Sequence, residues 1–154
     1  MKYTVRFAHM ADKPALKVGD VVKTGQVIGV MGTSGQSTAA HVHVDVVEGE
    51  QTHPYTLADI EQDSPKAAPP RQALYFVDDM LFGVKPVITT YYADPEYFSS
   101  YGKVHLGFDV VPEDRHSTKD HFKILWPRSK VGKVVAVDYK PESYGHCISI
   151  SFEA

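Results

Sequence analysis

The sequence predicts a mostly β fold, and three observations carry this prediction. Short runs rich in β-branched residues alternate with turn residues along most of the chain. Glycine (11 residues) and proline (10 residues) are frequent, and aromatic residues make up 11% of the total. No long stretch has the periodicity of an amphipathic helix. The length of 154 residues is typical of one compact domain, so we expect a single domain over residues 1–154.

The first predicted elements are strands separated by tight turns. Polar and apolar residues alternate over residues 2–8, which predicts a strand. The residues expected to share one of its faces are Tyr3, Val5, Phe7 and His9. Residues 16–31 contain short β-branched runs between glycines, a pattern that favours closely packed strands and turns. A loop of small residues, 32–38, then leads to a strand over residues 40–46.

The composition changes in the middle of the chain. Residues 48–72 are polar and contain four prolines, which cannot donate to a sheet ladder, so this stretch is predicted to be a surface linker. A loop is expected around Asp94 and Pro95. The remaining predicted strands are residues 73–77, 86–92, 104–111, 132–138 and 146–152.

Charge and composition exclude several classes of function. The net charge is −3 and the pI is about 6.2, so no basic surface for nucleic acid or anionic lipid is expected. Cys147 is the one cysteine, which excludes a disulfide scaffold, and we expect it to be a small buried residue. No apolar run approaches the roughly 20 residues of a membrane span, so membrane insertion is not expected.

The eight histidines carry the functional prediction. His41 and His43 lie two residues apart on a predicted strand and would therefore project from one face. His105 and Asp109 would also share a face if residues 104–111 are extended. Imidazole and carboxylate groups are natural zinc ligands. A half-exposed strand also tolerates histidines on its solvated face without binding a metal. The other histidines are expected to be solvated surface residues: His53, His116, His121 and His146.

Several segments together resemble the lysostaphin/LytM-type zinc metallopeptidases, peptidase family M23. These enzymes cut the peptides of bacterial cell walls. The family patterns Y-A-H-L, G-x-x-G-x-S-T-x-x-H-x-H and H-x-G-x-D resemble residues 7–10, 32–43 and 105–109. Further similar stretches are residues 18–29, 132–135 and 144–145.

The resemblance implies a fold, a cofactor and a set of site residues. The fold would be an antiparallel sheet in a barrel-sandwich hybrid, and the cofactor would be Zn²⁺. The resemblance implies that the zinc ligands are His43, His105 and Asp109. The catalytic roles without metal ligation fall to His41 and His9, which would move a proton or stabilise the oxyanion, in an order that the sequence leaves open.

The family patterns occur here in a different order, which predicts a circular permutation. In the family, H-x-G-x-D comes first and H-x-H last, whereas here H-x-H precedes H-x-G-x-D. The strand near residue 152 and the strand near residue 2 would then be a hairpin pair in relatives. Residues 48–72 would join the family's original ends.

The expected substrates are the stem or bridge peptides of bacterial peptidoglycan. Residues 1–9 are too polar for a signal peptide, so we expect a phage or prophage lysin that reaches the wall from the periplasm or from outside the cell. One alternative is a catalytically inactive domain of this family that binds cell wall or serves in a virion. A lipoyl-type carrier module, suggested by residues 17–31, is disfavoured because the turn at residues 32–35 has no lysine.

Overall fold

The structure is a computed structural model, which describes residues 2–35, 40–48, 81–91, 94–102, 105, 107–113, 123–126, 131–140 and 144–153. The strands are β1 (Lys2–Met10), β2 (Val21–Val22), β3 (Val27–Val30), β4 (Val42–Glu48), β5 (Pro86–Thr90), β6 (Phe108–Pro112), β7 (Lys123–Leu125), β8 (Gly132–Lys140) and β9 (Gly145–Glu153). One short helix, α1 (Pro95–Tyr101), lies between β5 and β6.

Two antiparallel sheets dominate the described part of the chain, which confirms the mostly β prediction. The larger sheet has seven strands in the order β2-β8-β9-β1-β4-β6-β5. The smaller sheet pairs β3 with β7. No helix within the described ranges is long and apolar enough to cross a membrane.

Strand β1 occupies the centre of the large sheet. It pairs with β4 on one side and with β9 on the other, so Lys2 lies opposite Glu153. From Val5 to Met10 every residue of β1 is buried. This strand is therefore a structural centre of the fold, and the two ends of the described chain are neighbours in the sheet.

The apolar core lies on one face of the large sheet. Alternation along β4 directs Val42 and Val44 into this core, while β1 contributes Val5 and Phe7. Trp126, which follows β7, is fully buried and lies edge-on to Phe7 with ring centroids 6.4 Å apart. The opposite face of these central strands is left for polar side chains, and this is the face that holds the site.

The loop predicted around Asp94 is wrong, because these residues form the beginning of α1. The Asp94 side chain accepts a hydrogen bond from the Glu96 backbone N–H at 3.0 Å, and Pro95 lies in the first turn of the helix. Gly102 then ends the helix in a left-handed conformation with a φ of 69°. All three signals are present in the sequence, but the helix has only seven residues.

Other differences concern the boundaries of the strands. Strand β6 begins at Phe108, four residues later than predicted, and β7 corresponds to no predicted strand. The predicted strand over residues 73–77 lies outside the described residues, as does the linker from residue 49 onward. The single-domain organisation and the linker therefore stay predictions.

Candidate metal centre and active site

Strand register brings the first two donor residues together. Strands β4 and β6 are antiparallel, and His43 lies directly opposite Asp109 across 66 residues of sequence. The His43 Nδ1 atom is 3.0 Å from the Asp109 Oδ1 atom. Because Val42 and Val44 point into the core, His43 points to the polar face.

His105 joins this pair from outside the sheet. It precedes β6, is 4% exposed, and places its Nε2 atom 3.2 Å from Asp109 Oδ1. One donor atom from each of His43, His105 and Asp109 lies within 4.8 Å of the other two. The structure therefore gathers the three residues that the resemblance implies as zinc ligands.

Each histidine of this donor group uses its second ring nitrogen for a hydrogen bond elsewhere. His105 Nδ1 is 3.0 Å from the backbone oxygen of Tyr91, so an Nδ1–H donor leaves Nε2 unprotonated. His43 Nε2 is 2.9 Å from Asp45 Oδ2, and an Nε2–H donor there leaves Nδ1 unprotonated. Both available nitrogens thus face the Asp109 carboxylate.

The spacing and chemistry of these donors fit zinc. Tetrahedral ligands held about 2.0–2.2 Å from the ion stand about 3.3–3.6 Å apart. The separations of 3.0 Å and 3.2 Å from Asp109 Oδ1 are close to this spacing. Two neutral imidazoles and one carboxylate are a common donor set for catalytic zinc, which keeps a further position for substrate or water.

The ionisable side chains of the donor group shift one another's pKa values. Burial would raise the pKa of Asp109, but the imidazoles of His105 and His43 beside it lower the pKa far below its usual range. Burial would lower the pKa of His43, but hydrogen bonds to Asp109 and Asp45 raise it to about 9. The carboxylates of Asp109 and Asp45 thus favour positive charge at this position, which suits a bound metal cation.

His9 reaches the site through a local distortion of β1. Its φ is 60°, and the β1–β9 register shifts between Phe7 and Met10. The His9 ring consequently leaves the core face and lies 4.8 Å from the His41 ring and 6.2 Å from the His43 ring. The expectation that His9 shares a face with Phe7 is wrong, because simple alternation does not include this bulge.

The Ser34 backbone holds His9 in this position. His9 Nδ1 lies 2.8 Å from the Ser34 carbonyl oxygen. The Ser34 hydroxyl donates to the backbone oxygen of Met10 and accepts from the His146 backbone at 3.0 Å. Burial lowers the pKa of His9 to about 4, although the hydrogen bond to Ser34 opposes the shift. His9 is therefore neutral near pH 7, with Nε2 unprotonated.

His41 lies at the more open side of the donor group. Its Nε2 atom is 3.5 Å from Asp109 Oδ1, and its side chain is 16% exposed. Its backbone N–H donates to the Gly32 carbonyl at 3.2 Å, which ties the start of β4 to the preceding loop. All five predicted site residues thus lie in one cluster, while their individual roles stay predictions.

Of the remaining histidines, the structure describes His146. His146, which the sequence predicts to be solvated, is partly buried and stacks on Tyr139 with ring centroids 4.3 Å apart. This difference arises because β9 begins at Gly145 and carries His146 into the sheet. His53, His116 and His121 lie outside the described residues. Cys147 is buried, as predicted.

Sequence reasoning missed four residues around the site: Arg6, Ser34, Asp45 and Gly107. Asp45 continues the alternation of His41 and His43, so it could have been predicted to share their face. Arg6 lies in a central strand whose residues from Val5 to Met10 are all buried, and it is itself 1% exposed. Burial would raise the pKa of Asp45, but Arg6 and His43 lower it to about 2.

Comparison with known proteins bears on the same residues. The family model of peptidase family M23 matches residues 1–54. The match supports family M23 for this chain. It includes three of the clustered residues, His9, His41 and His43, whereas His105 and Asp109 lie beyond it. M23 peptidases are typically metal-dependent, in agreement with the donor group described above. No solved structure matches the chain.

Proposed function

We propose that this chain is a zinc-dependent endopeptidase that hydrolyses peptide cross-links of bacterial peptidoglycan. The observation that carries the proposal is the clustering of five side chains from three distant segments. Three of them form a metal donor group, and His9 and His41 lie beside it. The M23 match over residues 1–54 supports the peptidase class and the type of substrate.

His43, His105 and Asp109 would hold the zinc ion through Nδ1, Nε2 and a carboxylate oxygen. When bound, zinc supplies a Lewis acid that polarises the scissile carbonyl and makes water a stronger nucleophile near neutral pH. The Tyr91 carbonyl and the Asp45 carboxylate orient the two imidazoles. These hydrogen bonds reduce the ordering that metal binding itself must impose.

His9 and His41 would move protons during hydrolysis. The Ser34 carbonyl holds the His9 Nδ1 proton, so His9 Nε2 is the atom that can accept a proton. The two rings lie 4.8 Å apart, so both can reach one reacting carbonyl group. The Tyr97 ring lies 4.6 Å from the ring of His105 and therefore borders the donor group.

We further propose a circularly permuted M23 domain that acts as a phage or prophage lysin on the cell wall. The motifs keep the family's cyclic order but start at a different point, which supports the permutation, and so does the antiparallel pairing of β1 with β9. A hairpin could join these neighbours without changing the sheet. Residues 2–10 are a central strand and thus part of the folded domain. A gene far from any phage cluster would contradict the lysin proposal.

The test is digestion of purified peptidoglycan of Gram-negative and staphylococcal type, followed by mass spectrometry of the released fragments. The zinc-loaded protein should release fragments cut within stem or bridge peptides. His41→Ala is the matched control, because it should retain zinc and lose most of the activity. Zinc-loaded protein that binds peptidoglycan and releases no fragment would instead support an inactive, wall-binding module.

A further inference from the structure

A buried chain of polar contacts leads from β1 to the metal donor group. The Arg6 guanidinium donates to Asp45 Oδ2 through Nη2 at 2.8 Å and through Nε at 3.3 Å. The same oxygen lies 2.9 Å from His43 Nε2. The side chains of Arg6 and Asp45 are only 2% and 1% exposed. Solvent therefore contributes little to holding these groups in place.

We propose that Arg6 and Asp45 are positioning residues that fix the ring of His43 so that Nδ1 faces the metal. The proposal rests on the metal site of the proposed function. Without Asp45, a rotation of the His43 ring could turn either nitrogen toward Asp109. A hydrogen bond from Nε2–H to a fixed carboxylate selects one orientation and one tautomer.

Strand register builds this arrangement directly. Arg6 lies opposite Asp45 across the β1–β4 pair, and Ala8 lies opposite His43. Because residues two apart share a face, Arg6, Asp45 and His43 all project from the polar face. The carboxylate is thus placed between the guanidinium and the metal ligand by the pairing of two central strands.

Stability alone gives little reason for an ion pair at this position. Removing two charges from water costs several kcal/mol per ion, and apolar replacements of buried pairs are often neutral or stabilising. Arg6 is further held by the Tyr144 ring, whose centroid is 3.7 Å from the guanidinium carbon. The Tyr144 backbone oxygen accepts the His9 backbone N–H at 2.8 Å. Arg6 thus lies next to the segment that holds His9.

Gly107 provides an independent observation at the same contact. A Cβ atom at this position would lie 2.9 Å from His43 Nε2 and 3.0 Å from Asp45 Cβ. The backbone of Gly107 therefore packs directly on the hydrogen bond between these two residues. The glycine of the H-x-G-x-D segment leaves the space that the Asp45–His43 contact occupies.

The experiment measures zinc affinity by competition with a chromophoric chelator, using the full chain. Asp45→Asn and Arg6→Gln should each weaken zinc binding by about 10–100-fold. Asp45→Glu keeps the carboxylate and should restore part of the affinity. Val46→Ala is the matched control, because Val46 is the next residue of β4 and is buried in the core on the opposite face. It should lower the stability while leaving zinc affinity within about twofold of the parent.

A second readout distinguishes positioning from general destabilisation. The absorption spectrum of the cobalt-substituted protein reports ligand geometry and should change in Asp45→Asn but not in Val46→Ala. If Asp45→Asn fails to fold, Arg6→Gln gives the same comparison. Unchanged zinc affinity and an unchanged cobalt spectrum in the folded variants would overturn the proposal. A parent protein that binds no zinc would overturn the proposed function as well.

Discussion

Gly107→Ala provides a sensitive test of how closely the fold is packed against the candidate metal centre. The added Cβ atom would lie 2.9 Å from His43 Nε2, whereas ordinary contacts lie between 3.4 and 4 Å. It would also collide with the backbone oxygen of Val44, which cannot move independently of β4. The imidazole, the strand or both must therefore shift by about 0.5 Å or more to restore normal packing.

The expected effect has two parts. Overpacking of a well-packed site typically costs about 1–3 kcal/mol of stability, which denaturant unfolding in the presence of EDTA would measure. Displacement of the His43–Asp45 hydrogen bond should also weaken zinc affinity by about 10–100-fold, measured by chelator competition. A shift in both quantities is the expected result.

Gly19→Ala is the control for a loss of stability away from the metal centre. Gly19 has a φ of 98°, and a Cβ atom added there would have no atom within 4 Å, so alanine introduces strain without a collision. It should cost about 1–2 kcal/mol of stability and leave zinc affinity unchanged. If Gly107→Ala bound zinc as tightly as the parent, the inferred packing of this glycine against His43 would be refuted.

Further predictions concern the ligands, the proton-transfer groups and pH. His105→Ala and Asp109→Ala should each abolish the single bound zinc, and full metal content by elemental analysis would refute the ligand set. His41→Ala should retain zinc while turnover on peptidoglycan falls by about 10²–10⁴-fold; undiminished turnover would remove it from the mechanism. Ser34→Ala should lower the free energy of unfolding by about 1–2 kcal/mol, because the Ser34 hydroxyl fixes the loop that holds His9. It should also slow turnover on peptidoglycan while the zinc content stays unchanged. Because burial lowers the pKa of His9 from 6.5 to about 4, its contribution to the stability of the metal-free protein is present above pH 6.5 and lost as the pH falls through 4. Denaturant unfolding in EDTA would measure the free energy of unfolding at pH 7 and at pH 4. This free energy should fall less between the two pH values in His9→Gln than in the parent, and an equal fall would contradict the lowered pKa of His9.

The sequence predicted the strands that carry most of the site, because their side chains alternate regularly. Strand β4 shows this best, since His43 faces the site while Val42 and Val44 enter the core. What alternation could not supply was the register between strands. The contact between His43 and Asp109 joins residues 66 positions apart, and a shift of one residue in β6 would turn Asp109 to the other face.

Irregular backbone accounts for the errors. His9 leaves its expected face because β1 bulges between Phe7 and Met10, and no turn residue marks this position in the sequence. Helix α1 has recognisable caps, but seven residues are too few to show helical periodicity. Strand β7 has only three residues and gains its stability by pairing with β3.

In the H-x-G-x-D segment, the sequence correctly predicts that His105 and Asp109 lie together, but from a local structure that is wrong. The sequence predicts His105 and Asp109 on one face of an extended strand, yet the strand begins only at Phe108. His105 reaches Asp109 from a bend that includes Gly107, and its orientation depends on the Tyr91 carbonyl, 14 residues earlier. The same bend brings the glycine backbone against the His43–Asp45 contact. Gly107 therefore connects the positions of His105 and His43, because the backbone segment that carries His105 also packs against His43.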